Sequence, residues 1–256
     1  MRNNLDYDIK ITLTTFFIVI ILCIMISFSS PFIRRMQINK VKEVTTEVNK
    51  VAYLTFDDGP SYNTPKILEI LDKYNIKATF FVVGPSYDEK DKNLKQIVNK
   101  GHTIAIHSYE HNYGYIYNSF DNYLRDFERC KDWIFSVTKE EPSIYRMPGG
   151  SSNVITRREN IKELIRYLYD HNYFHVDWNV DSNDSFSDHY TQVISNVLNG
   201  VKVNEYSGLY NQNILMHDTK TVTVRALPTI IEKLINENYT FATLDETSPL
   251  SQHVKG

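Results

Sequence analysis

Six short apolar or β-branched runs, at 51–56, 79–83, 103–107, 173–180, 212–217 and 240–244, alternate with stretches of helical periodicity. The helical stretches carry apolar residues three and four apart: Ile67, Leu68 and Leu71; Leu94, Ile97 and Val98; Leu124, Phe127 and Ile134; Ile161, Leu164, Ile165 and Leu168; Val193, Ile194 and Val197; Leu227, Ile230, Ile231 and Leu234. Strands that alternate with helices build βαβ units, so the expected fold is α/β with a parallel sheet or barrel. In such folds the site lies at the C-terminal ends of the strands. Polar residues at or just past the end of an apolar run are therefore the candidates for chemistry.

Four such places exist. Asp57 and Asp58 end the first run and are halted by Gly59-Pro60. Like charges this close repel, and a bound cation relieves the repulsion; the labour then divides into one carboxylate on a metal and one free as general base. His107-Ser-Tyr-Glu-His111 places two imidazoles four apart, and with Asp58 they make the three-ligand set of a catalytic metal with a position left open. Glu110 is a rival ligand. Arg146-Met-Pro-Gly-Gly150 offers a guanidinium that can orient a carboxylate and glycine N–H groups that can approach a substrate oxygen closely. Leu215-Met-His217 ends another run, and His217 can serve as general acid if a carboxylate keeps it protonated; Asp177, Asp181 and Asp184 all lie in the preceding unit.

Composition narrows the function. The 256 residues carry a net charge of -3, which leaves no electrostatic footprint for nucleic acid. The 18 Tyr and 13 Phe suit core packing first and stacking on a sugar ring second. Residues 11–33 hold no charge, and a helix needs roughly 20 apolar residues to cross a bilayer. The expectation is an uncleaved anchor in residues 1–35, spanning about 11–30, then a polar linker over 36–50 and a catalytic domain over 51–256. Arg34, Arg35, Lys40 and Lys42 follow the span and only Arg2 and Lys10 precede it, which by charge would put the domain inside the cell. The functional argument puts it outside, as a single-pass cell-membrane protein. Cys23 and Cys130 cannot form a disulfide within the domain.

Over roughly residues 51–246 the chain resembles the NodB-like polysaccharide deacetylases, the fourth family of carbohydrate esterases. The likeness rests on Thr55-Phe-Asp-Asp-Gly-Pro60, His107-Ser-Tyr-Glu-His111, Arg146-Met-Pro-Gly-Gly150, Asp181-Ser-Asn-Asp184 and Leu215-Met-His217. It implies a distorted (β/α) barrel with fewer than eight strands and one divalent metal, zinc ahead of cobalt. The implied reaction removes N-acetyl groups from a polymeric amino sugar. Asp57 then looks like the general base, Asp58, His107 and His111 like the metal ligands, and Arg146 like the residue that orients the base. His217 looks like the general acid, Asp184 like the carboxylate that tunes it, Gly149 like the N–H donor to the oxyanion and Leu215 like the wall of the acetyl pocket. The expected substrate is N-acetylglucosamine of peptidoglycan, with chitin-like oligosaccharide, poly-N-acetylglucosamine and acetylated xylan as alternatives, or a catalytically silent glycan-binding protein. Two departures stand out: Gly149 replaces an aromatic residue of many members, and Ser185 replaces a Trp, so one groove wall is expected to be more open.

Overall fold

In a computed structural model the described residues are 17–21, 48–85 and 89–255. Residues 17–21 are helical (α1), and from Asn49 onward the chain forms one compact unit. Among the described residues no helix is long and apolar enough to cross a membrane. This corrects the expected single-pass membrane protein with an outward-facing domain. The rest of the expected span, 11–16 and 22–30, lies outside the described residues, as do Cys23 and linker residues 36–47.

The compact unit contains eight strands: β1 (Val51–Gly59), β2 (Thr79–Val83), β3 (Thr103–Ser108), β4 (Ile144–Tyr145), β5 (Phe174–His175), β6 (Val180–Asp181), β7 (Asn211–His217) and β8 (Thr240–Phe241). Its helices are α2 (Thr64–Lys73), α3 (Lys90–Asn99), α4 (Tyr113–Ile116), α5 (Phe120–Thr138), α6 (Arg158–Asp170), α7 (Tyr190–Tyr206) and α8 (Thr221–Asn236). Seven strands form the wall in the order β5-β4-β3-β2-β1-β7-β6, and the two-residue β8 pairs beside the start of β1. Every pairing is parallel. The wall is a half-barrel: among the described residues β5 and β6 do not pair.

Strand parity decides which side chains reach the barrel interior, since alternate residues face opposite sides. Ala52, Leu54 and Phe56 of β1 join the helix-side core with Leu68, Leu71, Leu227 and Ile230. Val51 and Tyr53 join a smaller inner cluster with Phe81, Ala105, Ile144 and Val176. The same alternation carries Thr55 and Asp57 inward. Ile214 and Met216 of β7, and Ile104 and Ile106 of β3, lie on the helix side. Leu215, His217 and His107 are therefore in phase with Asp57.

Two features depart from the sequence reading. The apolar run 173–180 is two short strands separated by 176–179, and β4 and α4 were not expected. The split follows from the open seam. Val176 O and Asp177 O accept hydrogen bonds from the Arg146 guanidinium (3.0 Å each), and Asp177 N donates to Ser251 O (2.7 Å) of the C-terminal tail. The tail continues along the seam, with Val254 N donating to Ser151 Oγ (3.0 Å) and Val254 O bonded to His175 Nε2 (2.9 Å). Buried backbone groups that lack a neighbouring strand are thus satisfied by a side chain and an irregular segment.

Candidate active site

The rim after β1 is shaped by a close approach. A Cβ on Gly59 would lie 2.7 Å from the Asp218 carboxyl carbon, so no other residue fits there without displacing it. Asp218 is buried; its carboxylate accepts from Thr64 Oγ1 (2.7 Å) and its carbonyl from Ser61 Oγ and Asn63 Nδ2 (3.1 Å each). Its N–H returns to Asp57 O at 2.9 Å. The β1 turn is thereby clamped to the end of β7, where Asp57 and His217 are register partners. Beyond Asp57 the chain leaves strand geometry: Asp58 has φ 68, a left-handed conformation uncommon outside glycine, and so swings out of phase with its neighbour.

The loop after β3 is held by a second buried carboxylate. Asp126 of α5 accepts from Ser108 Oγ (2.6 Å), Tyr109 N (2.9 Å) and Glu110 N (2.7 Å). Ser108 Oγ accepts from His111 N at 2.8 Å, and His111 takes φ 50. These contacts bring His107 Nε2 to 3.4 Å and His111 Nε2 to 3.1 Å from Asp58 Oδ1. One ligand atom from each of Asp58, His107 and His111 lies within 4.8 Å of the others. Glu110, the rival ligand, turns away to Arg129. His107 Nδ1 faces Arg146 O at 2.8 Å, and a carbonyl can only accept, so Nδ1 carries the hydrogen and the Nε2 lone pair points at Asp58. Two acceptors facing each other need a proton or a cation between them. Two imidazole nitrogens and one carboxylate oxygen fit a divalent ion with an open position. Burial by itself raises the Asp58 pKa, but when protons rather than an ion sit between the groups, the hydrogen bonds and charge of His107 and His111 outweigh it and hold the carboxyl well below its ordinary value.

Arg146 joins these parts. It is fully buried, with its guanidinium 4.0 Å over the Phe81 ring. Nη1 donates to Asp57 Oδ1 (2.7 Å) and Thr55 Oγ1 (2.8 Å), while the other nitrogens take the two seam carbonyls. Its own carbonyl orients His107, so one residue positions both the proposed base and a proposed metal ligand. The Pro148-Gly149-Gly150 turn that follows has φ 76 at both glycines. It is braced by a third buried carboxylate, Asp177, which accepts from Ser151 N (2.8 Å), Ser151 Oγ (2.5 Å) and His253 N (2.8 Å).

On the other side of the rim His217 Nδ1 donates to Asp184 Oδ1 (2.7 Å) and His217 N to Asp184 Oδ2 (2.7 Å), with Thr223 Oγ1 completing that oxygen. Asp181 instead accepts from Asn183 N in its own loop, and Asp177 serves the Gly149 turn, so Asp184 is the carboxylate that reaches the ring. Burial lowers the His217 pKa, but the Asp184 hydrogen bond and charge, then Asp57 and Asp58, outweigh it and raise it to about 9. Nε2 faces the cavity, with only the Ser185 hydroxyl near it at 3.4 Å.

Asp57, Asp58, His107, His111, Gly149, Leu215 and His217 all line one cavity of about 360 Å³. The wall expected to be open at Gly149 is filled by Tyr113, which with Trp178 and the exposed Phe186 also lines it. Sequence reading passed over Asp126, Asp218 and Tyr113, and weighed Asp177 only as a partner for His217. An acid inside an otherwise apolar helix face was the available signal for Asp126; the others carry none.

The polysaccharide deacetylase family pattern matches residues 45–167. The chain is 33% identical over 211 residues to YheN of Bacillus subtilis (strain 168), covering 81% of this chain and 72% of that protein. It is 32% identical over 202 residues to a peptidoglycan-N-acetylglucosamine deacetylase of Bacillus cereus, covering 78% and 71%. The crystal structure of the catalytic domain of a peptidoglycan N-acetylglucosamine deacetylase from Eubacterium rectale matches with a TM-score of 0.75 at 37% identity, over 81% of this chain and 94% of that one. Identity at this level, carried over most of both chains and over the half-barrel itself, shows more than a shared fold: the chain belongs to the polysaccharide deacetylase family, the NodB-like carbohydrate esterases, and is a hydrolase of amide bonds.

Proposed function

We propose that residues 51–256 remove the N-acetyl group from N-acetylglucosamine in peptidoglycan and release acetate, with one divalent ion, zinc or cobalt, held by Asp58, His107 and His111. The observation that carries this reading is the pairing of Asp57 with His217 across β1 and β7, one pinned by Arg146 and the other by Asp184, beside a metal-ligand set in the same cavity. When bound, the ion supplies the charge that polarises the amide carbonyl and acidifies a water. Asp57 takes the proton of that water as its oxygen attacks the amide carbon. Arg146 holds Oδ1 of Asp57, which leaves Oδ2 facing His107 at 4.0 Å, the side on which the water must sit. The Gly149 N–H, unused by any hydrogen bond among the described residues, donates to the carbonyl oxygen as it gains charge. His217 delivers its Nε2 proton to the departing nitrogen, so the amine leaves neutral and acetate remains. Leu215, nearly buried at the cavity floor, borders the acetyl methyl group.

Peptidoglycan is favoured over other N-acetylated glycans because two relatives matched over more than two thirds of their length, from Bacillus cereus and Eubacterium rectale, carry that substrate in their names. The test is acetate release by the purified full chain from peptidoglycan, chitin oligosaccharide, poly-N-acetylglucosamine and acetylated xylan. Fastest release from peptidoglycan is expected. Preference for acetylated xylan would overturn the substrate, and no acetate from any of them would leave a glycan-binding protein.

A further inference from the structure

Tyr113 is the first residue of α4, the short helix capped by Asn112, whose side chain accepts from Tyr115 N at 3.2 Å. Its ring stands edge-on to the His111 imidazole (centroids 5.4 Å apart, 80°) and beside Tyr117 (6.1 Å), whose hydroxyl donates to Pro148 O at 2.7 Å. The ring is thus fixed between the loop that carries the metal ligands and the turn that carries Gly149. A Cβ on Gly149 would lie 3.2 Å from Tyr113 Cε1 and 3.5 Å from its hydroxyl oxygen. Tyr113 therefore occupies the space that a side chain at 149 would need, and its hydroxyl lies beside the Gly149 backbone. No hydrogen bond among the described residues uses that hydroxyl, although it borders the cavity that holds Asp57, His217 and Leu215. Two donors, a main-chain N–H and a phenol O–H, stand together on one wall.

We infer that the Tyr113 hydroxyl donates a hydrogen bond to the acetyl carbonyl oxygen as that oxygen gains charge, as a side-chain partner to the Gly149 N–H. This assignment rests on the deacetylase mechanism above. A donor fixed before reaction and aimed where charge develops stabilises the transition state more than the ground state, so its loss falls on kcat.

The variant Tyr113→Phe keeps the ring and its packing while removing only the donor. In the metal-loaded full chain, kcat should fall about 10²-fold, toward the lower end for loss of one oxyanion donor, while KM stays within about threefold. Bound metal and Tm should match the wild type, which separates loss of the donor from a disturbed His111. Wild-type kcat in Tyr113→Phe would overturn the inference, as would a raised KM at unchanged kcat or a kcat loss that follows lost metal. If the wild-type chain releases no acetate from any N-acetylated glycan, the deacetylase mechanism and this inference fall together. If it does and Tyr113→Phe matches it, only this inference falls.

Discussion

Two carboxylate–imidazole groups face each other across the catalytic rim, and they are built for opposite purposes. On one side Asp58 meets His107 and His111, with a single oxygen 3.4 and 3.1 Å from two Nε2 atoms and with Asp58 and His111 about a quarter exposed. On the other side Asp184 is fully enclosed and spends both oxygens on His217 and Thr223. The first group converges its lone pairs on a point and leaves them unsatisfied, which suits a cation. The second saturates its carboxylate and stores a proton on the imidazole. The same two residue types give a metal seat or an acid according to whether the nitrogen facing the carboxylate carries hydrogen.

The largest expected difference between the two groups is in metal content. His107→Ala should lose the bound ion and with it nearly all activity, while His217→Ala should keep the ion and lose activity through its proton. Metal analysis of both variants decides this, and equal metal loss in the two would erase the distinction. Chelation should likewise abolish activity, with zinc or cobalt restoring it. Next in size, Asp57→Asn should lower kcat by about 10²–10⁴, the usual contribution of a positioned proton-transfer group. Its metal content should stay at the wild-type level, since Asp58 and both His ligands remain; metal loss here would make Asp57 a ligand.

A smaller effect tests the proton store. If His217 is the acid proposed above, it acts protonated, and with its pKa raised to about 9 activity should hold through neutral pH and fall on the alkaline side. A cation beside Asp57 and Asp58 offsets their pull, which places the limb of the loaded enzyme somewhat below 9. The same raised pKa means that the pair stabilises the fold below the unfolded histidine value and stops doing so as pH rises through about 9. Asp184→Asn should move the alkaline limb of kcat/KM to lower pH, because the carboxylate bonded to the imidazolium is gone; an unmoved limb would mean Asp184 does not tune the ring. The smallest effect is expected at Ser185, whose hydroxyl lies 3.1 Å from His217 Nδ1, a nitrogen already held by Asp184 at 2.7 Å. Ser185→Ala should leave the limb in place and change kcat/KM by less than about threefold; a larger shift would show that two groups, not one, hold the acid.

The candidate chemistry was legible in the sequence because strand parity and strand ends are local properties. Asp57, His107 and His217 each end an apolar run in the inward phase, and His107-x-x-x-His111 needs only one loop to bring its rings together. Period alone also yields the parallel α/β wall. What period does not encode is how the loops are tied down. Asp126, Asp177 and Asp218 are acids distant in sequence from the turns they clamp, and nothing in an isolated acid says that its partners are the N–H and O–H groups of another loop. The split of 173–180 is of the same kind, since the competitor for its backbone carbonyls is a guanidinium some 30 residues away. The residues alone left Asp177, Asp181 and Asp184 open as the carboxylate on His217, and only the family resemblance singled out Asp184; seating Tyr113 where a side chain of residue 149 would stand depended on packing between elements. Residue identity and period by themselves determined the parallel α/β class and the candidate side chains at its strand ends. Only the tertiary structure decided how the loops that carry those side chains are tied down, because each of those bonds forms between strands and loops that the chain joins only on folding.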